Sequence, residues 1–333
     1  MLVHTIARRA AAALTVAVAA AAFTSAPAAA APQDAVASEA RTQVTIAPVD
    51  LNGPAISEVK VTVTNAGPER LSRLEVAFQG PAGWAVQPAV RSVDGTYRPG
   101  EAATAEFRIQ VPEQRAGFTM RTFTATATYK GGDGRGTATG TRVERSGPVL
   151  ARLADAYNKV AITDENDTTA GEFDGEGNSF SAQKLAAVGL TPGASVSALG
   201  AQLTWPAAAP GVKNSVSSTG QAVKVDGKGG KLVFLGSGVG FGAAGTATVI
   251  YADGSSTTGS IGFPNWSFQE ATAHGATLVK STDGRNRPDG YGNAGIAYRI
   301  FAHSVALDPA KQVELVVLPA NAAVHLFDIA LAP

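Results

Sequence analysis

Six carboxylates fall within thirteen positions: Asp164, Glu165, Asp167, Glu172, Asp174 and Glu176, interleaved with Gly171, Gly175 and Gly177. A hard cation such as calcium takes about six to eight oxygen ligands, and acids alternating with flexible glycine can supply them. The spacing is not that of an EF-hand, because Thr169 stands where the turn glycine belongs and Gly175 where the bidentate glutamate belongs. The expectation is a structural calcium site on Asp164, Asp167, Asp174 and Glu176, holding a loop in place. The same composition also reads as a solvated acidic loop whose Asp and Asn side chains form turns with their own backbone.

A second chemistry is the holding of hydroxyl groups. The stretch Asp283-Gly-Arg-Asn-Arg-Pro-Asp-Gly-Tyr-Gly-Asn293 reads as too polar and glycine-rich for a strand. As a loop it offers guanidinium forks, amides and one ring, and binding residues concentrate in such loops. Arg285, Asn286, Tyr291 and Asn293 are therefore candidate carbohydrate contacts, with Trp205 and Trp266 as candidate platforms. The competing readings are a mobile surface loop, and a core position for Trp205 after an alternating strand.

Other chemistries lack their residues. There is no cysteine, which removes disulfides, thiolate metal sites and a cysteine nucleophile. His274, His303 and His325 do not form a His-Glu-x-x-His pattern. Gly236-Ser-Gly-Val-Gly240 lacks nucleophile-elbow spacing, and Gly238-Val-Gly-Phe-Gly242 lacks the lysine of a phosphate loop. The acids cluster locally instead of arriving from several strand ends, so the chain is expected not to be an enzyme. A cryptic glycoside hydrolase is the remaining catalytic alternative, since it needs only two carboxylates.

The elements that position these residues are strands. The 333 residues carry 27 basic and 27 acidic side chains and 37 glycines. A balanced charge offers no field for nucleic acid or an anionic membrane. Residues 1–31 have a charged start at Arg8-Arg9, an apolar run from Ala10 to Phe23 and small residues after it. That pattern is a secretory signal peptide, with cleavage expected between Ala28 and Ala31 and a secreted, extracellular product.

From 41 to 145 the hydrophobic period is two. Val59–Thr64, Leu74–Phe78, Ala105–Val111 and Thr122–Tyr129 alternate, each closed by a Gly- or Pro-containing turn. About seven short strands in this span imply an immunoglobulin-like β-sandwich. Residues 146–156, with Gly147-Pro148, read as a linker. From 157 to 333 about ten further strand candidates imply a larger jelly roll, with Asp253-Gly254 as a hairpin turn and one short helix near Ser181–Val188. The fold class is all-β, two β-sandwich domains.

Within the first sandwich, Val63-Thr-Asn-Ala-Gly-Pro68, Gly80-Pro-Ala-Gly-Trp84, Tyr97-Arg-Pro-Gly-Glu101 and Val111-Pro-Glu113 resemble the α-galactosidase-associated NEW (NPCBM-associated) domain of secreted glycosidases. That resemblance implies no catalytic residue, and Trp84 is expected to close one end of the core. In the second, Tyr157–Asn166, Gly171–Ala182, Gly189–Gly193, Leu203–Pro206 and Phe263–Trp266 resemble a C-terminal, carbohydrate-binding-like module of secreted bacterial glycosidases, of galactose-binding-like form. Together these imply a non-catalytic, carbohydrate-binding accessory protein of extracellular glycan degradation, its partner a polysaccharide or glycoconjugate. The alternative is a structural or adhesive cell-surface protein that uses the sandwich faces for protein contacts.

Overall fold

A computed structural model describes residues 41–113 and 117–333; the signal-peptide expectation for residues 1–31 lies outside the described residues. The described chain is all-β.

The first sandwich is built from β1 (Gln43–Ile46), β2 (Ile56–Thr64), β3 (Leu71–Gln79), β4 (Val86–Gln87), β5 (Val90–Tyr97), β6 (Ala102–Gln110), β7 (Thr119–Lys130) and β8 (Thr137–Ser146). Its sheets run β1-β2-β6-β4 and β5-β3-β7-β8. Period-two alternation dictates the inner faces: Ala103, Ala105, Phe107 and Ile109 of β6 are buried while their neighbours are exposed. Phe78 packs on Phe107 and Phe123, and Trp84 meets Phe123 edge-on at 5.7 Å, closing the core end as expected. The Asn65–Pro68 turn is also structural, since the Asn65 amide donates to the carbonyls of Glu69 and Tyr97. The described residues form eight strands here, not seven. The additional one, β5, is a sheet edge that turns only Val93 and Tyr97 partly onto the core and therefore shows no hydrophobic alternation.

The second region continues with β9 (Val149–Leu150), a 3-10 turn (Leu153–Ala156), β10 (Ile162–Thr163), β11 (Phe180–Ser181), α1 (Ala182–Ala187), β12 (Ser195–Ala198), β13 (Ala201–Thr204), β14 (Val216–Ser217), β15 (Ala222–Gly227), β16 (Lys231–Gly238), β17 (Ala244–Tyr251), β18 (Ser256–Gly262), β19 (Thr277–Arg287), β20 (Gly290–Ala306), β21 (Val313–Val317) and β22 (Val324–Ala332). Two five-stranded sheets result, β14-β22-β16-β20-β19 and β18-β17-β21-β15-β9. The Asp253-Gly254 turn joins β17 to β18 as expected. Helix α1 starts where the Ser181 side chain accepts the Lys184 N–H, and Gly189, at φ 86°, follows its end.

The first of these sheets is buried on both faces. Leu232 and Phe234 of β16 point into the space between the sheets. Val233 and Leu235 point the other way, into a second core covered by residues 161–205. A strand buried on both sides has to read as a continuous apolar run, and Leu-Val-Phe-Leu does.

The interval 146–156 is not a free linker. Val149 and Leu150 pair in parallel with Ala222 and Val223, so β9 completes the second region's sheet. On the outer face of that sheet Ala222, Ile250 and Leu315 pack against Phe118, Met120 and Val149, and Arg145 Nη1 lies 2.6 Å from Glu314 Oε1.

Candidate functional site

The 283–293 stretch is a strand hairpin, not an irregular loop. β19 runs to Arg287, turns at Pro288-Asp289, and β20 starts at Gly290. Its polar residues are spent on the fold. Asn286 is fully buried, its Nδ2 donating to the Thr163 carbonyl and hydroxyl, while its backbone bridges Ser179. Arg285 donates to Asp174 at 3.3 Å, and its guanidinium faces the rings of Trp266 and Tyr298. Tyr291 donates to Asp283 at 2.8 Å and lies under the Lys184 ammonium. Burial and the Asp283 carboxylate push its phenol up to about 12. Asn293 has a φ of 59°, the left-handed region that asparagine tolerates, within β20 where its register with β19 shifts.

The two tryptophans are core. Trp205 is 1% exposed and packs on Phe327 at 4.6 Å; Trp266 is 2% exposed among Phe173, Phe180 and Tyr298 at 4.6 to 4.9 Å. Neither presents a face to a sugar, and the expectation that they are platforms is corrected. The resemblance to the carbohydrate-binding-like module therefore rests on packing residues: Phe173, Phe180, Trp205 and Trp266 all lie in one aromatic cluster.

The acidic stretch does not converge either. Asp164 accepts from the Asn166 N–H and the Gln183 amide, which hold its carboxyl below the usual range. Asp167 accepts from Thr169. Asp174 accepts from the Glu176 N–H, the Asn178 amide and Arg285. Among the described residues no three His, Asp or Glu side chains come together as a cation site. The calcium assignment to Asp164, Asp167, Asp174 and Glu176 is thus corrected: the Asp164 and Asp167 carboxylates accept within their own turns, and Asp174 is paired with Arg285.

A different place in the fold combines a cavity with perturbed groups. β9 covers only Ala222 and Val223 of β15, and β14 covers only Leu326 and His325 of β22. Beyond those points neither strand has a further pairing partner on that side among the described residues, and a groove of about 540 Å³ opens beside them. Its apolar floor is Val225, Ile329 and Leu331, which also pack onto the main core. Its polar rim is Arg152, Tyr157, Lys224, Asp226 and Asp328.

Two of these groups are set by the groove itself. Asp328 Oδ2 accepts the Thr204 N–H at 2.6 Å. Burial raises its carboxyl above the ordinary value, and the N–H groups of Thr204 and Ile329 oppose that rise. Tyr157 donates to the Phe327 carbonyl at 2.7 Å, and burial, with the Asp328 charge, raises its phenol. A volume in the range of roughly 300–1,000 Å³, an apolar floor and a few fixed polar groups are the attributes of a small-ligand site. Here the polar groups comprise both charge signs, which suits a neutral ligand rich in hydroxyls.

Sequence reasoning missed this groove. The one signal was Asp328, a lone carboxylate in the apolar run Val324–Ala332. It also missed a surface pair, Phe241 (72% exposed) and Phe268 (56% exposed), whose rings meet tilted with centres 4.8 Å apart.

Comparison with known proteins agrees with the two-part organisation. Residues 55–130 match the family described as the NPCBM-associated, NEW3 domain of alpha-galactosidase. No curated protein matches the chain. Among solved structures, the secreted serine protease VesC from Vibrio cholerae is 12% identical over 80% of this chain, with a TM-score of 0.25, too low to argue from. This chain spans 48% of that protein's length. Residues 150–333 match the AziU2-like beta-sandwich domain over more than half of the sequence, and the chain belongs to that family.

Proposed function

We propose that this protein is a secreted, non-catalytic accessory protein of extracellular glycan degradation that binds a polysaccharide or glycoconjugate in the groove between β15 and β22. The observation that carries the reading is the groove's lining: an apolar floor of Val225, Ile329 and Leu331 beside the fixed carboxylate of Asp328. Sugars present C–H faces and hydroxyls together, and this lining meets both. The NEW3-type domain, whose family description names alpha-galactosidase, supports a glycan context.

The test is a glycan array probed with the full chain and with Asp328→Ala. Expected is binding to a neutral glycan. In the variant it is weakened about 10- to 100-fold, as for loss of a charged hydrogen bond worth roughly 1.5–3 kcal/mol. No binding to any plant, fungal or bacterial polysaccharide would overturn the reading, and release of reducing sugar would replace it with a glycoside hydrolase. A second reading, an adhesive interaction protein, is favoured by the exposed Phe241–Phe268 pair; its mark is protein binding lost in Phe241→Ser with glycan binding absent.

A further inference from the structure

We infer that the groove is one end of a longer trench, which takes an oligosaccharide chain rather than a single sugar and to which the first sandwich contributes the far end. The inference rests on the glycan reading above and assigns the NEW3-type domain a part in binding.

The observation is a second cavity, of about 430 Å³, at the junction of the two sandwiches. Phe118, Arg145 and Gly147 line it from the first sandwich; Gln312 and Glu314 line it from the second. Lys224 and Asp226 line both this cavity and the groove. They are alternate residues of β15, on the same side of the strand. β9 follows the β15 edge for two residues only and then departs at Ala151. The two cavities therefore meet around the part of the β15 edge that β9 leaves uncovered.

The lining repeats the chemistry of the groove. Phe118 is half-buried and supplies an apolar surface. Asp226 Oδ1 accepts the Gln312 amide at 2.6 Å and Arg145 is paired with Glu314, so these groups are fixed in place, and the lining's cations Arg145 and Lys224 are matched in number by Asp226 and Glu314. A trench with compensated charges favours a neutral polyhydroxyl chain over an anionic one. Each cavity falls in the size range of a small-ligand site, and a single chain spanning both gains affinity because its second contact is intramolecular.

The experiment is calorimetric titration of the full chain with ladders of galactomannan, β-1,4-galactan and xylan oligosaccharides from two to six residues long. In the ladder that binds, affinity is expected to rise at least about 100-fold with length, the modest end of linked-site gains. Phe118→Ala should abolish that rise and leave the disaccharide affinity unchanged. Gln312→Ala, at a half-buried position outside the groove's lining, should reduce it if Phe118→Ala fails to fold. An affinity independent of length, or a rise that survives both substitutions, overturns the trench while leaving the groove reading intact. If no ladder binds, and no array glycan does, the groove reading falls and the trench with it.

Discussion

Arg285 Nη1 lies 3.3 Å from Asp174 Oδ2, and the same guanidinium sits 5.9 Å from the Trp266 ring centre. The stretch that resembles a sugar-binding loop and the stretch that resembles a calcium loop are thus each other's counter-ions, joined over a buried tryptophan. Both side chains are mostly buried. Asp174→Ala is therefore expected to cost about 2–3 kcal/mol, somewhat below the range for breaking a fully buried pair. Chemical denaturation of the variant measures this. A chelator should leave the melting midpoint of the parent protein unchanged; a fall in that midpoint would restore the cation assignment.

Trp266 has the same standing from the other side. Trp266→Ala is expected to destabilise by about 3–5 kcal/mol, as for large-to-small changes in a packed core. Glycan titration should leave Trp266 fluorescence unquenched, because its ring is buried and lies outside the lining of the groove, which Trp205 borders. A glycan-dependent quench that disappears in Trp266→Phe would contradict the burial.

Acid should find His325. Its ring is buried against Phe173 at 4.4 Å, and among the described residues Nδ1 has no hydrogen-bond partner. Burial first, and then the charge of Lys159, lower it from 6.5 to about 4, with Asp174 opposing. Because the folded value lies below the unfolded one, the unfolded chain binds the extra proton. This contribution is full above pH 6.5 and is lost as pH falls toward 4, on the order of 3 kcal/mol in all. Denaturation curves of the parent and of His325→Gln across that window check this; the difference between them should shrink as the pH falls.

Asp328 runs in the opposite direction. Its carboxyl is raised, so its ionisation opposes folding, and the penalty appears as pH rises through the ordinary aspartate range of about 4. Asp328→Asn, which keeps an acceptor for the Thr204 N–H, is expected to raise the melting midpoint at pH 7 and to make no difference at pH 3. An equal gain at both values would mean the effect is not one of charge.

The inner strands were legible because burial writes itself into sequence: β6 alternates, and β16, covered on both faces, is continuously apolar. The two long strands that escaped, β5 and β19, are sheet edges whose outer positions are free of selection for apolar residues. The same asymmetry governed the sites. Arg285 and Asn286 have the residue types of a binding loop, and nothing local says that their partners, Asp174 and Thr163, come from more than 100 positions away to occupy them. The groove was invisible for a related reason, since it is made by what β9 and β14 fail to cover.

The joint between the sandwiches has little slack. β8 ends at Ser146 and β9, already woven into the second sheet, starts at Val149. Only Gly147 and Pro148 intervene, and a Cβ at Gly147 would lie 2.1 Å from the Gly117 carbonyl oxygen. A nick or gene fusion placed at residue 150 would divide β9 and leave the second sheet with a raw margin, the kind of surface that recruits another chain. The seam at which these modules can be parted lies upstream of β9.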